Sequence, residues 1–86
     1  MTEDSRRTIV ITGATRGIGR ALVKELVVGG HTVIACGRSM DEIRTLRSAH
    51  SAPNHFEAVD VGDWPRVEAW ARGVLEDFGP PDLLIN

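Results

Sequence analysis

The feature that most constrains this chain is the run Thr8-Ile9-Val10-Ile11-Thr12, which ends at Gly13 and is followed by Gly17 and Gly19. A run that is β-branched at every position suits a strand buried on both faces, and such strands belong to parallel sheets covered by helices. From Ile18 the apolar positions Ile18, Ala21, Leu22 and Leu26 fall at helical spacing, and Gly29-Gly30 tolerates the left-handed backbone of a helix stop. A helix is therefore expected to leave the strand directly, across a glycine-rich turn.

The alternation then repeats. Thr32-Val33-Ile34-Ala35-Cys36 is a second buried strand closed by Gly37, and a helix over roughly Asp41 to His50 turns Ile43 and Leu46 inward, with Ser39 or Asp41 as its N-cap. A loop from Ser48 to His55 is punctuated by Pro53, and Phe56 to Val59 forms a short third strand ending at Asp60. Asp63 can cap a third helix, since Pro65 is compatible with a first turn and not with a helix interior. In that helix Val67, Trp70, Ala71, Val74, Leu75 and Phe78 form the cleanest amphipathic stripe in the chain. Gly79-Pro80-Pro81 breaks it, and Asp82-Leu83-Leu84-Ile85-Asn86 opens a fourth apolar strand. Right-handed crossovers between parallel strands make this a doubly wound α/β unit with strand order 3-2-1-4. The fourth strand, with nothing after Asn86, is expected to be an open apolar edge of the kind proteins normally cover. No internal repeat, low-complexity segment or second domain is evident.

Composition narrows the function by exclusion. Ten Lys and Arg against 12 Asp and Glu give a net charge of -2 and a pI near 5.8. The Arg residues are scattered, so the basic face that phosphate backbones require is missing and no nucleic-acid partner is expected. No apolar run approaches the roughly 20 residues of a membrane span, and the lead from Met1 to Arg7 is polar, so a cytoplasmic protein without a membrane partner is expected. One Cys excludes an internal disulfide. Cys36, His31, His50 and His55 lack metal-site spacing, so no metal is expected, and Cys36 reads as a small buried hydrophobe. There is no Tyr and one Lys, Lys24, so a mechanism needing a Tyr-Lys pair cannot be completed within these 86 residues.

The glycines carry the chemistry. Gly13 lets the chain turn sharply off the strand, Gly17 lets backbone approach a pyrophosphate, and Gly19 lets the helix pack closely on the sheet. The unpaired N–H groups and dipole of the first helical turn then favour phosphate charge. This implies dinucleotide binding, against the blander reading of a tight strand-to-helix turn. No Gly-Lys-Ser/Thr follows, so the loop is not a P-loop. At the end of the second strand, where an acidic side chain usually holds a free ribose 2'-hydroxyl, stand Gly37-Arg38-Ser39. Arg38 and the loop residue Arg16 can flank a 2'-phosphate, which guanidinium binds in a forked geometry. NADP(H) is thus preferred, with NAD(H) as the alternative, unless both Arg are merely solvated surface charges. Asp60, followed by Val61, ends the third strand at the same edge, where it either accepts from the adenine amino group or satisfies local turn donors.

The motifs Thr12-Gly13-Ala14-Thr15-Arg16-Gly17-Ile18-Gly19, Gly37-Arg38, Asp60-Val61 and Phe78-Gly79-Pro80-Pro81-Asp82-Leu83-Leu84-Ile85-Asn86 together resemble the short-chain dehydrogenase/reductase family, over essentially every residue present. The resemblance implies a Rossmann-type fold in which the loop, with Gly13, Thr15, Arg16, Gly17, Ile18 and Gly19, wraps the pyrophosphate. It implies that Arg38, beside Ser39, selects the 2'-phosphate, and that Asp60 and Val61 hold the adenine. Asn86 matches the first residue of the family's Asn-Asn-Ala-Gly motif, which stabilises the fourth strand near the adenosine ribose. The family's catalytic Ser, its Tyr-xxx-Lys pair and its catalytic Asn lie downstream and are absent, so no catalytic residue is assigned.

The expectation is a partial NAD(P)-binding domain over residues 1–86, cut short at the fourth strand. It would be the cofactor half of an oxidoreductase that moves hydride between NADP(H) and a small carbonyl or alcohol substrate. That half alone is expected to be inactive, and the complete protein homo-oligomeric. The alternative is a non-catalytic dinucleotide-binding or sensing module whose fourth strand pairs with another chain. A methyltransferase that binds an adenosine cofactor is disfavoured by Gly37 and Arg38, since it commonly needs an acid there.

Overall fold

The computed structural model describes residues 6–14 and 17–86. Along them run β1 (Thr8–Thr12), α1 (Gly17–Val28), β2 (Thr32–Gly37), α2 (Met40–Ala49), β3 (His55–Ala58), α3 (Trp64–Phe78) and β4 (Leu83–Ile85). The strands form one parallel sheet in the order β3-β2-β1-β4, with Val10 opposite Ile34 on one side and Leu84 on the other. This is the Rossmann-like, doubly wound arrangement expected from the sequence. The chain winds outward from β1 to β3 and then returns past β1 to β4. A crevice at the carboxyl ends of the strands belongs at that reversal.

Apolar residues fill the inner strands because both faces of the sheet are covered. Ile9, Ile11, Val33, Ala35 and Phe56 point to one face, where they pack with Val23 of α1 and with Ile43 and Leu46 of α2. Val10, Ile34 and Cys36 point to the other and meet Val59, Trp70 and Val74. Successive strand residues alternate faces, so a strand between two helical layers has no position left for a polar side chain.

The helices agree less closely with their sequence patterns. In α1 the inner stripe is Leu22, Val23, Leu26 and Val27, whereas Ile18 is 80% exposed and Ala21 is also exposed. In the first turn of α1 it is Gly19 that faces the backbone of Gly13 and Ala14, and the adjacent Ile18 lies on the solvent side. In α3, Trp70 and Val74 are buried and Val67 and Phe78 pack beside them, but Ala71 and Leu75 face an apolar groove of about 310 Å³ beside Leu84. The neighbouring strand there, β4, is only three residues long, and Leu83 and Leu84 are themselves half exposed.

Local polar contacts fix the element ends. Ser39, one of the two expected caps, accepts the Glu42 N–H through Oγ at 3.3 Å, and Asp63 accepts the Arg66 N–H through Oδ1 at 3.3 Å with Pro65 in the first turn. α3 stops at Gly79, which has a φ of 76°. β4 is tied to β1 at both ends. The N–H of Thr8 donates to Asp82 Oδ2 and that of Asp82 to the Thr8 carbonyl, both at 2.8 Å, while the Thr12 hydroxyl donates to Asn86 Oδ1 at 2.9 Å. Among the described residues no helix is long and apolar enough to cross a membrane.

Candidate functional site

Because all four strands run the same way, β1, β2 and β3 deliver their last residues to one edge of the sheet. A cleft of about 300 Å³ opens there, lined by Gly13 after β1, by Gly37, Arg38 and Ser39 at the end of β2, and by Val59, Asp60 and Val61 after β3. Gly13, Arg38, Ser39, Asp60 and Val61 were expected from the sequence to act together, and residues up to 48 apart in the chain converge on this one cleft.

The backbone reason lies in the loop after β1. Gly13 turns off the strand at a φ of 70°, a conformation that a side chain disfavours, and Gly17 opens α1 at a φ of 49°. The Ala14 N–H donates to the Cys36 carbonyl at 3.0 Å, which holds the turn against β2, and Ala14 itself is fully buried. A Cβ on Gly19 would collide with the Gly13 carbonyl oxygen and approach Ala14 Cα to 3.2 Å. The close approach expected of Gly19 is thus to the loop backbone in front of the sheet, not to the sheet itself.

The cleft wall offers several kinds of contact. Val59 and Val61 give apolar surface on one side. Opposite, Arg38 is exposed and, among the described residues, its guanidinium has no partner. The Ser39 Oγ accepts from the Glu42 N–H, which leaves its hydroxyl proton free to donate outward. Asp60 accepts the Gly62 N–H through Oδ1 at 2.9 Å, so it does satisfy a turn donor, and its second carboxylate oxygen has no partner among the described residues. Cys36 lies just behind the cleft, 1% exposed. Burial pushes its thiol up, a hydrogen bond with the Gly13 backbone pulls it down by less, and the charge of Glu57 adds a still smaller push upward. A neutral buried thiol is a packing group and not a nucleophile.

Not every expected residue reaches this cleft. Gly17 lies beyond it at the start of α1, Ile18 points to solvent, and Asn86 is engaged with Thr12 at the end of β4. Thr15 and Arg16 lie outside the described residues. Gly37 and Val59 also line the cleft, although the sequence reading placed them at strand ends without assigning either a cofactor contact. Their signal was positional, since each immediately precedes a named residue at a strand's carboxyl end. Among the described residues no group of three or more His, Cys, Asp or Glu side chains can hold a metal ion.

The family model described as short chain dehydrogenase matches residues 7–86. An NADPH-dependent pterin aldehyde reductase of Arabidopsis thaliana is 43% identical over 93% of this chain and 34% of its own length. A short-chain dehydrogenase from Streptomyces avermitilis superposes with a TM-score of 0.86 at 32% identity, covering 94% of this chain and 30% of that one. A 3-ketoacyl-(acyl-carrier-protein) reductase from Brucella melitensis, solved with NADH, superposes with a TM-score of 0.82 at 26% identity, covering 91% and 32%. The chain therefore spans about a third of the length of these proteins.

Proposed function

Since the chain belongs to the short-chain dehydrogenase family, we propose that it is the cofactor-binding part of an oxidoreductase that moves hydride between NADP(H) and a small carbonyl or alcohol substrate. The observation that carries the cofactor choice is the pairing of Arg38 with Ser39 at the rim of the cleft, with no carboxylate at that point of β2. The cleft's own features fit the group: glycine backbone at Gly13, apolar walls at Val59 and Val61, a guanidinium with no partner among the described residues and an outward-donating hydroxyl. In this reading the adenine lies between Val59 and Val61 with Asp60 at its amino edge. The 2'-phosphate meets Arg38, Ser39 and the free N–H groups of the first turn of α2. The pyrophosphate follows the loop from Gly13 through Thr15, Arg16, Gly17 and Ile18 to Gly19, and Asn86 stands on the ribose side. Bound NADP(H) supplies or accepts the hydride, while these residues bind and orient it. The NADPH dependence of the Arabidopsis thaliana relative supports the phosphate-bearing cofactor, and the NADH in the Brucella melitensis protein keeps NAD(H) as the alternative.

The test is a fluorescence titration of the chain with NADPH and with NADH. NADPH is expected to bind at least tenfold more tightly, and Arg38→Asp should reverse the order, because it replaces a phosphate partner with an acceptor for a hydroxyl. Equal affinity for the two cofactors would remove the assignment.

A second reading, a non-catalytic dinucleotide module that pairs through β4, is favoured by the half-exposed Leu83 and Leu84 on that strand. Size-exclusion chromatography separates the two: a soluble monomer at low concentration, with no partner, counts against it.

A further inference from the structure

α1 and α2 rise from the same edge of the sheet on either side of the cleft's phosphate end. Among the described residues one side-chain hydrogen bond joins them, from Arg20 Nη1 to Glu42 Oε2 at 2.6 Å. Both residues sit in first turns. Arg20 follows Gly19, which packs on the Gly13 backbone, and Glu42 gives its N–H to Ser39 Oγ. The pair thus bridges the two segments that line the cleft at Gly13 and at Ser39.

Its electrostatic setting is unusual for a phosphate site. Asp41 and Glu42 both lie in the first turn of α2, where carboxylates suit the helix dipole but repel an anion held by the neighbouring Arg38 and Ser39. Asp41 is highly exposed, so water screens it, and its contact with Arg44 is long at 3.4 Å. Glu42 is the more enclosed carboxylate, and Arg20 is what neutralises it. A surface pair of this kind contributes little to folding, so stability alone gives it little purpose.

We infer that Arg20, acting through Glu42, is a positioning residue that sets the preference for a 2'-phosphate over a 2'-hydroxyl. It cancels the Glu42 charge and holds the first turn of α2 against α1. This rests on the cofactor reading above.

The experiment titrates the chain calorimetrically with two probes, adenosine 2',5'-bisphosphate and 5'-AMP, which differ only in the 2'-phosphate. In the unmodified chain the bisphosphate is expected to bind more tightly. Arg20→Gln exposes the Glu42 charge and should weaken the bisphosphate about three- to tenfold while leaving 5'-AMP within about twofold. Glu42→Gln frees the Arg20 charge and should move the ratio the other way, and the double variant should return it towards the starting value. Equal binding of the probes by the unmodified chain, or binding of neither, overturns the cofactor reading itself. A preference that survives Arg20→Gln unchanged, or that falls alike in both single variants, leaves that reading standing and overturns the role of Arg20. Should circular dichroism show Arg20→Gln unfolded, Glu42→Gln decides alone: a raised ratio supports the role, and an unchanged or lowered one removes it.

Discussion

At the scale of single residues, the glycines show why a residue type is only half of an argument. Gly19 and Gly73 both lie inside helices, yet a methyl group at Gly19 would run into the backbone of Gly13 and Ala14, while at Gly73 it would meet nothing within 4 Å. Backbone held by a neighbouring strand cannot give way as the tip of a flexible side chain can. Gly19→Ala should therefore displace the loop, lower the melting temperature and weaken NADPH binding at least tenfold in a fluorescence titration. Gly73→Ala should raise stability by about 0.5–1 kcal/mol through helix propensity and leave binding unchanged. The sequence singled out Gly19 by its place between a strand and a helix. The particular atoms it approaches depend on how α1 docks, which no spacing rule contains.

At the scale of elements, legibility followed the number of covered faces. β1 and β2, buried on both sides, could be read almost to the residue, and the convergence of Arg38, Ser39, Asp60 and Val61 followed from parallel strands ending at one edge. β3 came out one residue earlier than expected, at His55–Ala58, although Val59 still donates its N–H to the Gly37 carbonyl at 2.9 Å. Helix faces were harder, because spacing gives a stripe but not its rotation. Ile18 and Ala21 of α1 point away from the core, and Ala71 and Leu75 of α3 lie over the thin side of the sheet. The Arg20–Glu42 bridge and the Thr12–Asn86 hydrogen bond were beyond reach for the same reason, since each needs two side chains from separate elements in one rotameric arrangement. Caps are local and were legible. Asp63→Ala should cost about 1 kcal/mol by removing the acceptor for the Arg66 N–H, seen as a lower urea midpoint with an unchanged m-value, and Asp63→Asn should recover most of it.

At the scale of the whole molecule, a chain of this size holds only a few kcal/mol of net stability, so one buried titrating group can govern its response to alkali. Cys36 is that group. It is 1% exposed between the sheet and α3, and burial raises its thiol above the ordinary value of 9.0. With no Tyr and a single Lys in the chain, few other side chains change charge between pH 8 and 10. As pH rises, the unfolded chain loses its thiol proton first, while the folded chain keeps it. The unfolded state then binds fewer protons, and stability falls by up to about 1.4 kcal/mol per pH unit. The contribution is fully present below the ordinary thiol range, declines as pH climbs through it, and levels off only where the folded thiol also ionises. Thermal melts from pH 7 to pH 10 should show a decline that sets in as pH enters the ordinary thiol range. Cys36→Ala leaves a small void and lowers the melting temperature at every pH, but it should flatten the alkaline slope. A variant that melts with the same slope as the unmodified chain would show that the alkaline loss does not arise at this thiol.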